Sequence, residues 1–287
     1  AAVRARLESE CERLVHETEQ RERAASSRPA GEARLLARLD AMTASLEPAF
    51  GVLLPRFGPI MGPTVLTQHR LVQLGGASAL GTLRSLDGNV TTQMDLALWR
   101  VAAVIRADPE AAERFVTGSP AELAADLRAG RLPQPVTAAV SGFLDQWGMR
   151  GVGEIDLGHP RWSDDPSSVM SSLSSYVSLP SDAPAPDVAF ERGKAEAAEA
   201  LDLLLADLGR RGPHGRLQGR QVRFLVSRVR ATFGARETPK FTLVRMLGIV
   251  RARLLASGAE LAEAGRLTAA DDVLMLHLDE LRSAWTT

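Results

Sequence analysis

Pro239-Lys-Phe-Thr-Leu-Val-Arg-Met-Leu-Gly-Ile-Val-Arg-Ala-Arg-Leu-Leu-Ala-Ser-Gly-Ala-Glu-Leu-Ala-Glu263 reads as one long helix. Its proline stands at the first helical position, where no amide donor is missed, and Gly265 stops the run. A helix of roughly 25 residues would be about 40 Å long. Working outward, Asp187 to Arg211 and Gln221 to Thr232 show apolar positions at helical spacing, with Val222, Leu225, Val226 and Val229 on one side. His214 to Gly219 between them is expected to be a short basic loop. Toward the other end, Thr268 with Asp271 resembles a capping box, and Asp279 opens a final helix.

The first half follows the same pattern. Ala1 to Arg28 carries Leu7, Cys11, Leu14 and Val15 about one turn apart, and Gly31 to Ser45 has Leu35, Leu36, Leu39 and Met42 as its stripe. Pro48 is expected to end that helix. From there to Pro63, Phe50, Phe57, Ile60 and Met61 are interrupted by prolines and glycines, which predicts short apolar turns: a buried connector or a ligand wall. Helical pattern resumes from Thr64 toward Leu86, Asp87-Gly-Asn89 signals a turn, and Thr91 or Thr92 is the expected cap of the next helix. Two short helices between Glu110 and Gly130, the second capped by Ser119, and one from Pro133 to Trp147 follow. Ser163 to Asp187 should be irregular around one short helix. Without βαβ alternation, a glycine-rich nucleotide loop or a repeat, the expectation is an all-α, irregular multi-helix domain with long loops.

Composition narrows the function classes. A net charge of -1 gives no global field for nucleic acid or an anionic membrane, so neither is expected as a partner. No apolar run approaches the roughly 20 residues that span a bilayer. One cysteine, Cys11, forms no internal disulfide, and Cys and His are not grouped at metal-ligand spacing. A reducing, cytoplasmic setting without a metal is expected. The chain starts in mid-helix pattern without methionine, which suggests a fragment of a longer polypeptide.

Two segments carry candidate chemistry. Gly148-Met-Arg-Gly-Val-Gly-Glu-Ile-Asp-Leu-Gly-His-Pro-Arg-Trp162 packs charge, glycine and tryptophan too densely for an ordinary surface loop. Glu154 and Asp156 there suit orientation of a base or cation, and Arg161 suits a phosphate or carboxylate. An internal salt-bridge knot is the competing reading. In Arg236-Glu-Thr-Pro-Lys240, Thr238 is a plausible N-cap, placing Arg236 and Lys240 where free helix amides favour an anion. The alternative pairs Arg236 with Glu237 and leaves Lys240 solvated.

Taken in order, Asn89-Val-Thr-Thr-Gln-Met94, the Gly148 to Trp162 segment with Ser163, Arg236 to Lys240, and Asp272-Val…Leu278-Asp-Glu-Leu-Arg282 resemble the central helical domain of rifampicin phosphotransferases and related phosphoenolpyruvate-synthase-like enzymes. The resemblance implies that residues 1–287 are a piece of the substrate-binding domain, with a subdivision at 1–86 and 87–287. It implies a rifamycin-type acceptor, bound beside separate ATP-grasp and phosphohistidine domains of one polypeptide. Such enzymes split ATP to AMP, a phosphate passed through phosphohistidine to the antibiotic hydroxyl, and free phosphate. ATP and magnesium would serve the parent protein, and this chain alone would hold no cofactor and not turn over. Arg236 and Lys240 match the basic pair near the acceptor hydroxyl. Phe50, Phe57, Met61 and Met94 would wall the pocket, with Glu154, Asp156 and Arg161 shaping it. The alternative is a non-catalytic ligand-binding or docking module, or a helical scaffold.

Overall fold

The computed structural model describes the backbone of residues 2–180 and 183–286, and the side chains of residues 4–51, 53, 62–180 and 183–286. Its elements begin with α1 (Ala2–Ser26), α2 (Glu32–Gly75) and a 3-10 segment (Ala77–Leu83). Five short helices follow: α3 (Val90–Arg106), α4 (Pro109–Thr117), α5 (Pro120–Arg128), α6 (Gln134–Trp147) and α7 (Ser167–Val177). Then come α8 (Pro186–Arg210), α9 (Gly212–Thr232), a second 3-10 segment (Phe233–Glu237) and α10 (Thr238–Glu263). A third 3-10 segment (Ala270–Met275) and α11 (Leu278–Ser283) close the chain. No strand occurs among the described residues, so the all-α expectation holds.

The five short helices enclose one core of Ile105, Phe115, Leu123, Val140, Phe143, Met170 and Leu173. Their ends are fixed locally. Asn89 Oδ1 accepts from the amides of Thr91 and Thr92, so Asn89 caps α3 rather than either threonine: it stands one position before the first helical residue, Val90, whereas both threonines are already within the helix. Ser119 and Glu122 form the capping box of α5, and Asp108 caps α4.

The long helices build a second layer with three smaller cores. Leu7, Cys11, Leu14 and Val15 of α1 meet Ala49 and Leu53 of α2 and Met246 of α10. Leu35 and Leu39 meet Val250, Leu254 and Leu261, closed by Val273 and Leu281. Leu71 meets Leu204 and Leu208 of α8 and Val222 and Val226 of α9. Helix α2 enters all three, and its 44 residues extend about 66 Å.

That length overturns the expectation of short turns after Pro48. Each internal proline removes one ladder donor and crowds the carbonyl four residues back, at a cost of about 3 kcal/mol. The helix continues because Leu35 and Leu39 before the interruption, Ala49 and Leu53 within it and Leu71 after it are buried in three different cores. Phe57 and Met61 lie in this stretch, and their side chains are outside the described residues.

Two further corrections concern helix starts. His214 to Gly219 is not a loop but the first turns of α9; Gly212, at φ +81°, makes the reversal from α8 that a side chain would strain, and Pro213 starts the new helix. Thr238 is not an N-cap. The 3-10 segment runs straight into α10, Thr238 is itself helical, and its carbonyl accepts from Thr242 Oγ1. The run therefore presents no open set of amides to an anion at that point. Asp272, not Asp271, caps the last 3-10 segment, accepting from the Ala269 amide at 2.8 Å.

Candidate functional site

The segment between α6 and α7 forms a closed loop. The Trp162 amide donates to Arg150 O at 2.8 Å and the Ser163 amide to Gly148 O at 2.9 Å, so two backbone bonds form a neck. Inside it Glu154 is only 6% exposed, although it is charged. Arg150 Nε donates to its Oε2 at 2.6 Å, and Lys240 Nζ of α10 lies 3.0 Å from its Oε1. Burial pushes the Glu154 carboxyl up, but the Lys240 and Arg150 hydrogen bonds outweigh it and hold the group below the usual carboxylate range. The carboxylate is thus ionised and fixed, with one mostly buried cation and one half-exposed cation on its two oxygens.

A second set of bonds ties the loop to α10. Arg251 donates through Nε to Asp164 Oδ2 at 3.0 Å and through a guanidinium nitrogen to Leu157 O. Asp164 Oδ2 also accepts the Arg161 amide at 2.9 Å. Arg161 is 2% exposed, and its Nε and one terminal nitrogen have no partner. Burial first, then the neighbouring Arg251 charge, pulls its pKa down. Asp156, by contrast, is exposed; it accepts from the Gly158 amide at 2.7 Å and from His159 Nδ1 at 3.2 Å, and those bonds lower its pKa.

These residues outline a shallow depression of 660 Å³ lined by Arg150, Glu154, Ile155, Asp156, Trp162 and Lys240. Trp162 stacks at 6.3 Å on Phe143, and its indole N–H lacks an acceptor. The structure therefore brings together Glu154, Asp156 and Lys240, with Arg161 buried in the same loop. Arg236, one turn before Lys240, pairs with Glu237 at 3.0 Å and lies 4.4 Å above the Phe233 ring. Met94 packs against the five-helix core, and Phe50 is exposed on α2; neither lines this depression. Sequence reasoning passed over Arg150, Asp164 and Arg251. The signal for Arg251 was available: it follows Leu247 by four and precedes Leu254 by three, a charged residue in a core register.

A second cavity, of 540 Å³, opens where α1, α6 and α10 meet, between Cys11, Trp147, Met149, Phe241 and Thr242. Trp147 and Phe241 touch there with ring centroids 5.2 Å apart, joining the two layers. No group of three or more His, Cys, Asp or Glu converges at metal-binding distance among the described residues, and none of their helices is long and apolar enough to cross a membrane.

Residues 52–237, well over half of the chain, match the family described as rifampicin phosphotransferase fourth domain. A rifampicin phosphotransferase of Streptomyces sviceus is 34% identical over 217 residues, covering 75% of this chain and 24% of that protein. One of Bacillus subtilis is 29% identical over 218 residues, covering 75% of this chain and 25% of the relative. The chain thus spans about a quarter of the length of the curated relatives it matches. On this similarity and its all-α architecture, the chain belongs to the rifampicin phosphotransferase family, its matched segment to that family's fourth domain.

Proposed function

We propose that this chain is the acceptor-binding domain of a multidomain, ATP-dependent phosphotransferase whose phosphoryl group arrives on a histidine of a separate domain. The acceptor is a hydroxyl-bearing small molecule, of rifamycin type by the names of the relatives. ATP and magnesium serve the other domains, and supply the activated phosphoryl group. The observation that carries this reading is Lys240 held 3.0 Å from a buried, ionised Glu154 at the edge of an open depression.

The carboxylate fixes the position of the ammonium, while the half-exposed lysine side chain leaves N–H donors for a transferring phosphoryl oxygen. Arg236 adds a second cation one turn away once it leaves Glu237, a pair that is partly exposed and cheap to break. Trp162 and Ile155 supply apolar surface to the acceptor, and Asp156 a hydrogen-bond acceptor for its hydroxyls.

The test is the full-length parent protein with Arg236→Ala and Lys240→Ala. Loss of phosphoryl transfer with largely retained acceptor binding is expected, and unchanged turnover refutes the assignment. The second reading, a docking or binding module without transfer, draws on the fact that both cations already hold carboxylate partners. Stoichiometric acceptor binding by the intact wild-type protein, with no phosphorylated product, would establish it.

A further inference from the structure

The net charge of -1 hides a segregated distribution. Residues 48–86 and 208–236 contain no Asp or Glu, and the second stretch holds eight arginines. The balancing acids stand elsewhere, with six on α1 and six on α8. Helix α9 falls wholly within the basic stretch and packs beside the second half of α2, around Leu71. The two segments without carboxylates are therefore neighbours in space, and a local field of one sign forms where the whole chain has almost none.

On α9, Leu217, Arg220, Phe224 and Arg228 recur every three or four residues and are all exposed, so they form one stripe facing solvent, flanked by exposed Arg216 and Arg223. Phe224 is 57% and Leu217 54% exposed, and Arg228 lies 4.9 Å over the Phe224 ring. Arg70 and Leu74 of α2 share an open groove with Arg220, Phe224 and Leu225. One turn before Arg70, Leu66 is 70% exposed. Arg210 and Arg211, at the end of α8, pair with Asp207. Among the described residues, Arg70, Arg216, Arg220, Arg223 and Arg228 pair with no carboxylate. This face thus combines unneutralised guanidinium groups with large apolar side chains left in water.

We propose that the α2–α9 face binds peripherally to an anionic phospholipid surface. The arginines meet headgroup phosphates and carboxylates, and Leu66, Leu217 and Phe224 enter the boundary between headgroups and acyl chains. A guanidinium engages two phosphate oxygens at once, and a bilayer supplies the dense negative charge that this face lacks. The arrangement of the anchors selects lipid over a protein helix: arginines separate them, whereas a partner helix is seated by a continuous apolar strip. It also selects lipid over single-stranded nucleic acid, because two of the three anchors are leucines, which offer no ring for a base to stack on.

The experiment is co-sedimentation of the full-length parent protein, and of the 287-residue chain, with vesicles of mixed phosphatidylcholine and phosphatidylserine and with vesicles of phosphatidylcholine alone. Binding to the mixed vesicles is expected, roughly tenfold tighter or more than to phosphatidylcholine, and weakened by added salt. Arg220→Gln and Arg228→Gln should each weaken it about fivefold, and Phe224→Ser should do so without changing the salt dependence. Arg211→Gln, whose charge is already paired with Asp207, should leave it unchanged. These side chains are exposed, so the variants keep the fold. Equal binding to both kinds of vesicle, or binding unaffected by Arg220→Gln and Phe224→Ser, overturns the proposal. So does binding by the 287-residue chain but not by the parent protein, since another part of the polypeptide then covers the face. Affinity for oligothymidylate equal to that for the mixed vesicles and indifferent to Phe224→Ser overturns it in favour of nucleic acid.

Discussion

Replacing Glu154 by Gln isolates which of its two cations holds the loop and which is left for chemistry. The side chain keeps its shape and loses its charge. Arg150 is 16% exposed in its side chain and bonds at 2.6 Å, so losing the charge leaves a mostly buried guanidinium without its counterion. Lys240 is 53% exposed and is screened by water. The expected cost of Glu154→Gln is about 2–3 kcal/mol, nearly all of it from Arg150. Lys240→Met should cost less than about 1 kcal/mol. Equilibrium urea unfolding followed by tryptophan fluorescence reads this directly, because Trp147 and Trp162 flank the loop. Double-mutant cycles should give a coupling of about 2 kcal/mol for Glu154 with Arg150 and well under 1 kcal/mol for Glu154 with Lys240. Because the folded carboxyl lies below its ordinary value, this contribution is present above pH 4.5 and lost as pH falls through the lowered folded value. A Lys240 coupling equal to that of Arg150, or a Glu154→Gln cost below about 0.5 kcal/mol, would refute the division of labour.

Glu22 should give the opposite pH dependence. Its carboxyl rises from 4.5 to about 7 on folding, so its protonated form stabilises the protein fully below pH 4.5 and that contribution is lost as pH rises through 7. The loss is at most about 3 kcal/mol. Urea midpoints from pH 4 to 8 should show it in the wild-type chain and not in Glu22→Gln; parallel profiles would disprove it. At Gly258 of α10, an added Cβ meets the Ala270 carbonyl and Val273. Gly258→Ala should therefore lower stability by about 1–3 kcal/mol through displacement of the final 3-10 segment, measurable as a lower urea midpoint.

Most helices were legible because their signals are local: Ser119 with Glu122 and Pro120 marks α5, and the 3.6-residue spacing of Val136, Val140 and Phe143 marks the inner face of α6. What failed needed tertiary information. Four prolines argue against a single α2, and only burial of its two ends in separate cores explains its continuity. The candidate site divided the same way. The density of the Gly148–Trp162 segment flagged a special loop, but the partner of Glu154 lies 86 residues away on α10, and no local pattern pairs Glu154 with Lys240. Thr238-Pro239 reads as a helix start in isolation, whereas the preceding 3-10 segment occupies that space. Glu22 carried a usable signal: it continues the buried register of Leu7, Cys11, Leu14 and Thr18, where a carboxylate is out of place.

The two-bond neck of the Gly148–Trp162 loop has a consequence for how the protein comes apart. The loop is anchored at its base to the five-helix core, and along its length to α10 through Arg251 and Lys240. It therefore behaves as a rivet across a seam. Its Trp162 packs against the five-helix core and its Leu157 against the core shared by α2 and α10, so the constellation of Glu154, Lys240 and Arg251 ceases to exist at the first parting of the halves. Ligand competence should disappear in denaturant ahead of helicity, and a molecule bound at the loop acts as a clamp on the seam, raising the resistance of the whole to unfolding.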